Sequence, residues 1–146
     1  MSLSIQFLGR SRFLSAEMRK DIRKLLVYFA EGQNFNIDSL VYIHQTDEEL
    51  HAINVSHLNH DTFTDIITFD MSDNEGVIDG EIYLSVDRIR ENAEQFNVDF
   101  INEYVRVVSH GLFHLMGYGD KSEEEAIVMR GLEDSAIAYF LGLSST

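Results

Sequence analysis

The chain has 146 residues, contains no cysteine and carries a formal net charge of −14. Its length is typical of one domain, so we expect a single domain spanning residues 1–146. The lack of cysteine excludes disulfides and thiolate metal sites, and no apolar run approaches the roughly 18 residues that a membrane-spanning helix needs. The first residues have neither the basic region nor the apolar stretch of a signal peptide. We therefore expect a cytoplasmic protein with no membrane partner.

Positive charge is concentrated at the start of the chain. Residues 1–24 hold six of the eleven basic residues and two acidic ones, a net charge of +4, whereas the remainder has a net charge of −18. The overall acidity argues against a non-specific nucleic-acid binder, because phosphate contacts dominate that kind of affinity. A basic corner on an acidic body can still bind an anionic polymer locally. The alternative is an ordinary solvated helix face. The residues of this corner are Arg19, Lys20, Arg23 and Lys24.

Hydrophobic periodicity predicts two helices among the strands of the first half of the chain. Ser15 can cap the first helix, whose apolar positions form one stripe, and Asp47 can cap the second, which runs toward Leu58. A polar loop over residues 71–77 separates the last two strands. Four strands are predicted, over residues 5–8, 40–44, 65–70 and 80–84.

The second half of the chain is predicted to be helical. Ser85 opens one helix and Asp99 opens the next. Ser122 and Glu125 form an S-x-x-E capping box for a last helix that ends at about Leu141. Because strands come first and helices last, the pattern indicates an α+β fold. We expect one small mixed sheet of about four strands surrounded by about five helices.

The most informative stretch is a pair of histidines on the penultimate helix. His110 and His114 are four residues apart, so both imidazoles lie on one helix face and can hold one metal ion. Gly117 can end that helix in a left-handed turn, after which Asp120 arrives as a possible third ligand. The spacing H-x3-H-x5-D is that of metzincin peptidases, but Gly111 stands in place of their catalytic Glu and Asp120 in place of a third His. The run therefore indicates a one-metal site, but not a peptidase.

The phase of this helix separates the two histidines from the predicted core. His110 and His114 lie on nearly the opposite side from an apolar stripe, which disfavours a satisfied core histidine and predicts a surface pair or a cleft site. Spacing alone leaves two interpretations open, a metal site and incidental surface histidines. His44 and His51 are expected to be structural or solvated. The apolar stripe consists of Ile101, Tyr104, Val105, Val108, Leu112 and Leu115.

Three parts of the chain resemble the YbeY family of bacterial endoribonucleases and rRNA maturation factors. Residues 110–118 (HGLFHLMGY) resemble the family signature H-G-x-L-H-L-x-G-Y-D-H. Leu58-Asn59 followed by residues 64–69 (TDIITF) resembles the family's L-N and T-D-V-L-S-F elements. Residues 80–82 (GEI) with Ser85 resemble its G-D-I strand. The matches span roughly residues 55–135 and keep the family's order.

The resemblance implies one metal ion, usually zinc and otherwise another divalent transition metal, held by His110, His114 and Asp120. It implies a single-strand-specific endoribonuclease acting in 16S rRNA 3′-end maturation and ribosome quality control, with metal-activated water attacking the RNA phosphodiester. The expected partners are pre-rRNA and the small ribosomal subunit, and not DNA. RNA is then the expected ligand of the basic corner. Three protein ligands also leave an open coordination position, as in catalytic rather than structural zinc sites.

Two departures from the family pattern affect this site. An ungapped match places Asp120 on the family's third histidine, whereas a one-residue slip would place Lys121 there. We prefer Asp120, because a carboxylate is an accepted zinc ligand and a lysine cation is not. The segment after Asn59 lacks the arginine that the family usually has there. We expect Arg88 to supply that charge, with Arg90 as the second candidate, and the alternative for both is an exposed helix arginine.

No glutamate follows His110, so the general base of zincins is missing. The open alternatives for the base are metal-bound hydroxide alone and hydroxide assisted by a carboxylate, Asp65 or Glu81. The expected catalytic residues are Arg88, His110 and His114. The missing groups support an alternative, a non-catalytic or weakly catalytic ribosome assembly factor with a structural metal. A third interpretation is a non-RNA Fe(II) enzyme, although such enzymes usually carry their His and Asp ligands close together on a β scaffold.

Overall fold

A mixed sheet of four strands forms the centre of the fold. The computed structural model describes residues 4–58 and 64–144. The strands are β1 (Ile5–Gly9), β2 (Asn36–Gln45), β3 (Ile66–Asp70) and β4 (Val77–Ser85). Their order is β1-β2-β4-β3, with β1, β2 and β4 parallel and β3 antiparallel to β4. In the described residues β1 and β3 are therefore the two edges of the sheet.

Five helices surround this sheet in the described part of the chain, so the expected α+β fold is confirmed. None of them is both long and apolar enough to cross a membrane. The observed β1, β2 and β4 extend beyond the predicted strands, most clearly β2, whose pairing with β4 runs from Asn36 to Gln45, whereas β3 begins one residue later than predicted. The helices are α1 (Ala16–Glu31), α2 (Asp47–Leu58), α3 (Val86–Phe96), α4 (Phe100–Leu115) and α5 (Glu123–Ser144).

Four of the five helices start where the sequence predicted. Helix α4 begins after Asp99, although the Asp99 side chain forms no cap hydrogen bond, and the other three have bonded capping residues. Ser15 Oγ accepts a backbone N–H of α1 at 3.1 Å, and Ser85 Oγ accepts one of α3 at 3.0 Å. At α5, Ser122 and Glu125 exchange the two hydrogen bonds of a capping box, at 3.0 and 3.1 Å. The local sequence therefore determines where these helices begin.

The predicted cap of α2 is wrong. Thr46 caps this helix, because its Oγ1 accepts the Glu49 N–H at 3.2 Å while Glu49 Oε1 accepts the Thr46 N–H at 2.9 Å. Asp47 is the first helical residue, and its carboxylate accepts hydrogen bonds from Ser85 Oγ and Arg88 at 3.2 and 2.8 Å. Asp47 therefore ties the start of α2 to the start of α3.

Helix α4 is buried on more than one side. The predicted stripe is confirmed as core, since Tyr104, Val105 and Val108 are completely buried. The other side of the helix is packed as well, because Val107 and Gly111 are also buried against neighbouring elements. The helix contacts the sheet through β3 and β4 and the helical layer through α1, α3 and α5. No residue of α4 is therefore fully exposed to solvent.

His44 is a buried structural residue, as one of the two sequence interpretations proposed. Its Nδ1 lies 2.8 Å from the Leu8 carbonyl oxygen and its Nε2 lies 2.6 Å from the Tyr104 hydroxyl. These partners assign the neutral tautomer in which Nδ1–H donates to Leu8 and Nε2 accepts from Tyr104. Burial lowers the pKa of His44 to about 4, and the nearby charge of Arg19 acts in the same direction.

Acidification is therefore expected to destabilise the fold through His44. The unfolded chain binds a proton at this histidine near pH 6.5, whereas the folded chain resists it down to about pH 4. Stability present above pH 6.5 is lost as the pH falls toward 4, by about 3 kcal/mol in total. Urea unfolding at pH 7 and pH 4.5 measures the loss of unfolding free energy on acidification, here called the acid slope. A His44→Phe variant should be less stable at pH 7 but lose less on acidification.

The control for this experiment is His51→Gln, which removes a partly exposed histidine of α2. It should keep the acid slope of the unmodified chain. Carboxylate titration contributes to the acid slope of all three proteins and cancels in the comparison. An acid slope in His44→Phe equal to that of the unmodified chain would contradict the assignment to His44.

Candidate metal centre

The candidate centre begins where α4 ends. Gly117 has a φ of +101°, a left-handed conformation that favours glycine, and this confirms the predicted turn. Its N–H donates to the His114 carbonyl oxygen and the Tyr118 N–H donates to that of Phe113, both at 3.0 Å. This pair of bonds is the Schellman motif, which reverses the chain after a helix. The reversal brings Asp120 back over the last turns of α4.

The structure brings the three predicted ligands together. Asp120 Oδ2 lies 3.3 Å from His110 Nε2 and 3.4 Å from His114 Nε2. Two ligand atoms at zinc bond lengths of 2.0–2.2 Å and a tetrahedral angle are separated by about 3.3–3.5 Å. His110, His114 and Asp120 can therefore hold one metal ion. Two imidazole nitrogens and one carboxylate oxygen suit zinc or another divalent transition metal.

Both histidines are oriented by a second hydrogen bond. His110 Nδ1 lies 2.5 Å from Glu133 Oε2, and His114 Nδ1 lies 2.8 Å from the carbonyl oxygen of Tyr118. With a proton on each Nδ1, these partners leave both Nε2 lone pairs directed at Asp120. Metal-binding histidines usually have this arrangement, because the outer partner fixes the tautomer and the ring orientation.

Glu133 is itself held by a buried charged network. The Arg106 guanidinium donates to Glu133 Oε1 at 3.1 Å and also to Glu103, one turn earlier on α4. Both glutamates are almost completely buried. Burial alone would raise the pKa of Glu133 and lower that of His110, but their mutual hydrogen bond and charges prevail. The pKa of Glu133 is therefore lowered and that of His110 raised, so the carboxylate stays ionised.

The sequence interpretation missed this network. Glu103, Arg106, His110 and His114 follow one another at helical spacing, so a polar stripe along α4 was a signal that could have been read. Glu133 gave no such signal, because it lies 23 residues beyond His110 on a different helix.

The three candidate ligands line a cleft rather than an open surface. The cleft has a volume of about 790 Å³ and lies between α4, β3, α2 and the turn after α4. The side chains of His110 and His114 are only 18% and 28% exposed, so the cleft interpretation of the pair replaces the surface one. Other polar side chains that line the cleft are Asn54, Thr64, Asp65, Thr68, Asp70, Arg106 and Lys121.

The two carboxylates suggested as helpers are placed differently. Asp65 lines the cleft, and burial raises its pKa although the charges of His110 and Arg106 oppose that effect. Glu81 does not line the cleft within the described residues; it accepts a hydrogen bond from the Tyr83 hydroxyl at 3.0 Å. Asp65 is therefore the one of the two that could exchange a proton with a bound substrate.

Packing explains why no side chain follows His110. A Cβ atom at Gly111 would lie 2.7 Å from Ile82 Cδ1 and 3.0 Å from Ile66 Cδ1, both from the sheet. Such distances are shorter than side chains tolerate without movement. The position that carries a catalytic glutamate in metzincins is therefore used here to bring α4 close to the sheet.

The two predicted arginines take part in helix contacts. Arg88 donates to Asp47 at 2.8 Å, and this bond raises its pKa, with further contributions from the charges of Glu91 and Asp65. The Arg90 guanidinium lies over the Phe100 ring, 4.6 Å from its centroid. Within the described residues neither lines the cleft, where the two cations are Arg106 and Lys121.

The basic corner divides into two pairs. Arg19 donates to the carbonyl oxygens of Phe7, Ser11 and Leu14, and Arg23 donates to that of Ile5 at 3.1 Å. Both arginines therefore cover the outer edge of β1. Lys20 and Lys24, by contrast, have exposed side chains. Asn59, which is matched to the family's L-N element, and residues 60–63, where the family arginine is missing, lie outside the described residues.

Fold and site together define the class of the protein: an α+β protein with a candidate one-metal centre at the end of a central helix. The family model described as Endoribonuclease YbeY matches residues 6–140 of this chain. The chain belongs to the YbeY endoribonuclease family, as the sequence resemblance predicted.

Curated relatives named Endoribonuclease YbeY agree with this assignment. The protein from Flavobacterium johnsoniae is 51% identical over 106 residues, which cover 72% of this chain and 75% of the relative. That from Christiangramia forsetii is 39% identical over 136 residues, 93% of this chain and 94% of the relative. The solution structure of a Thermotoga maritima protein matches 94% of this chain and 88% of its own, with a TM-score of 0.68 and 24% identity. At that identity the likeness shows the fold alone.

Proposed function

We propose that this protein is a metal-dependent endoribonuclease that cleaves single-stranded RNA in the cleft beside α4. The observation that carries the proposal is the oriented group of His110, His114 and Asp120 inside that cleft, in a chain of an endoribonuclease family. Zinc is the proposed metal. The proposed role is 16S rRNA 3′-end maturation and ribosome quality control in the cytoplasm, with pre-rRNA and the small ribosomal subunit as partners.

The chemistry assigns a role to each group in the cleft. His110, His114 and Asp120 would hold the ion, which when bound supplies Lewis acidity and lowers the pKa of a water molecule that attacks the phosphodiester. Burial raises the pKa of Asp65, so this carboxylate binds a proton more readily than an ordinary aspartate and could accept one from the attacking water. Lys121, at the cleft beside Asp120, can offset negative charge on the phosphate.

Removal of the metal tests this proposal. Purified protein should cleave a single-stranded fragment of rRNA, lose that cleavage with a chelator, and recover it when zinc is restored. His114→Ala should be inactive under every condition, because it removes one of three ligands. Cleavage that survives in His114→Ala would come from a contaminating nuclease and would overturn the enzymatic assignment.

A comparison of Lys121 with Arg88 tests which cation serves the reaction. Lys121→Ala should lower kcat/KM roughly tenfold at an unchanged melting temperature, because Lys121 is exposed at the cleft. Arg88→Ala should mainly destabilise the fold, by about 1 kcal/mol, because it breaks the bonds to Asp47. Kinetics and thermal unfolding of both variants separate the two effects. Loss of cleavage in Arg88→Ala at an unchanged melting temperature would support the sequence-based assignment of Arg88.

A second candidate function is a ribosome assembly factor in which the metal is structural. It is favoured by Gly111, which leaves no side chain where zincins carry a general base. It is also favoured by the bond from His114 to Tyr118, since a metal on His114 would fasten the turn after α4. Under this alternative, chelation lowers the melting temperature and ribosome binding, and no RNA cleavage is detected with zinc present.

A further inference from the structure

A groove between α1 and α5 lies away from the metal cleft. It has a volume of about 610 Å³, and its polar lining consists of Lys20, Arg23, Lys24, Tyr28 and Tyr139. The groove adjoins β1, one edge of the sheet, whereas the metal cleft is lined by β3, the opposite edge. The two sites are therefore separate surfaces of the fold.

The groove presents positive charge and an aromatic ring in one row. Lys20, Lys24 and Tyr28 are four residues apart on α1, so they lie along one helix face in steps of about 6 Å. All three side chains are exposed, and within residues 4–58 and 64–144 neither lysine forms an ion pair. In a chain with a net charge of −14, this row stands out as cationic surface.

The aromatic part of the groove is a fixed stacking surface. Tyr139 stacks on Tyr28 with ring centroids 4.3 Å apart and an interplanar angle of 21°. Phe29 packs edge-on against both rings and holds them in place. Tyr28 nevertheless remains 56% exposed. A nucleobase can stack on such a ring, because every base has a π face.

Arg23 adds fixed positive charge to the floor of the groove. Its guanidinium donates to the Ile5 carbonyl oxygen at 3.1 Å and lies 5.1 Å from the centroid of the Phe7 ring. These contacts hold it in place without neutralising its charge, since neither partner is anionic. The metal cleft is less basic, because Asp65, Asp70 and Asp120 line it beside its two cations, Arg106 and Lys121. A polyanionic strand therefore gains affinity from the groove that the cleft does not provide.

We propose that the groove lined by Lys20, Lys24 and Tyr28 is a second RNA-binding site, which holds a single strand by phosphate contacts and base stacking. The aromatic stack favours a nucleic acid over an acidic protein segment, which has no bases to place on Tyr28. Arg23 contributes fixed charge to the groove, whereas Arg19 does not line it and is bonded to backbone oxygens. The inference relies on RNA being the substrate proposed above.

Fluorescence anisotropy with a labelled single-stranded RNA oligonucleotide tests this site. A chelator is present throughout, so that binding is measured without cleavage. Lys20→Ala/Lys24→Ala should weaken binding and reduce the slope of log affinity against log salt by about 1.4, since each phosphate contact contributes about 0.7. Tyr28→Ala should weaken binding roughly tenfold, through lost stacking. The lysine side chains are exposed, so their variant should melt as the unmodified chain does, whereas Tyr28→Ala should melt a few degrees lower through the lost stack on Tyr139.

The matched control is Arg12→Ala/Arg130→Ala, which removes the same charge from two exposed positions that do not line the groove. Its affinity should stay within about twofold of the unmodified chain. An equal loss in this control would mean that net charge alone matters and would overturn the site. So would unchanged affinity in Tyr28→Ala, or equal displacement of RNA by polyglutamate, because both outcomes describe a surface for any polyanion.

Failure of the groove proposal can be distinguished from failure of the nuclease proposal. If groove variants lose binding while the unmodified chain shows no metal-dependent cleavage, the groove is upheld and the proposed catalytic function fails. If cleavage is metal-dependent but groove variants bind and cleave as the unmodified chain does, the groove is overturned and the catalytic function is upheld.

Discussion

Replacing Asp120 by alanine is expected to abolish RNA cleavage and to weaken zinc binding at least about 100-fold. The physical reason is that His110 and His114 alone leave the ion with two protein ligands, too few for a stable catalytic centre. Isothermal titration with zinc and a cleavage assay on single-stranded RNA measure the two effects. Thermal unfolding without metal should change little, because the Asp120 side chain is 42% exposed.

Two further variants sharpen this test. Asp120→His should retain zinc, because an imidazole nitrogen can replace the carboxylate oxygen and the YbeY pattern has histidine at this position. Asp73→Asn, in the exposed loop before β4, removes an equal charge away from the cleft and should bind and cleave normally. Zinc affinity in Asp120→Ala equal to that of the unmodified chain would show that Asp120 is not a ligand.

Replacing Glu133 by alanine is expected to destabilise the fold by about 3–5 kcal/mol, even without metal. The change removes one of the two carboxylates that pair with Arg106 and leaves a partly buried cation under-compensated. It also removes the hydrogen bond that orients His110, which should lower zinc affinity about 10- to 100-fold. Urea unfolding of the metal-free protein and zinc titration measure the two losses separately.

Glu133→Gln is the conservative partner of that variant. Its amide oxygen can still accept the His110 Nδ1–H, so zinc affinity should fall less than in Glu133→Ala, while the loss of charge beside Arg106 remains. A double variant with Arg106→Leu should be less stable still, because the buried Glu103 then loses its only described cation partner. Zinc affinity unchanged in Glu133→Ala would refute the positioning role of Glu133.

Local features of the chain predicted much of the fold. Ser15, Ser85 and the Ser122–Glu125 box predicted three helix starts, because a capping side chain bonds to backbone groups within three residues of itself. The cap of α2 was predicted at Asp47 and lies at Thr46. Neighbouring polar residues compete for the same backbone N–H groups, and tertiary contacts of Asp47 with α3 decide the outcome.

The candidate site likewise has a part that local sequence predicts and a part that depends on tertiary packing. The arrangement of the candidate ligands within residues 110–120 could be predicted locally, because the four-residue spacing and the glycine turn are properties of one helix end. The groups that orient and surround them come from elsewhere in the chain: Glu133 from α5 and Asp65 from the residue before β3. Their distance from His110 depends on how helices and strands pack, which no local pattern contains.

The sequence by itself determined the α+β class, the spacing of His110 and His114, the reversal at Gly117 and the concentration of positive charge before residue 25. Only the tertiary structure decided that the histidine pair lies in a cleft and that Glu133 and Tyr118 orient it. It also decided which basic side chains face solvent and which hold the edge of β1. The physical reason is range: capping and helical spacing act over a few residues, whereas burial, pKa and charge pairing depend on elements that meet only in the folded chain.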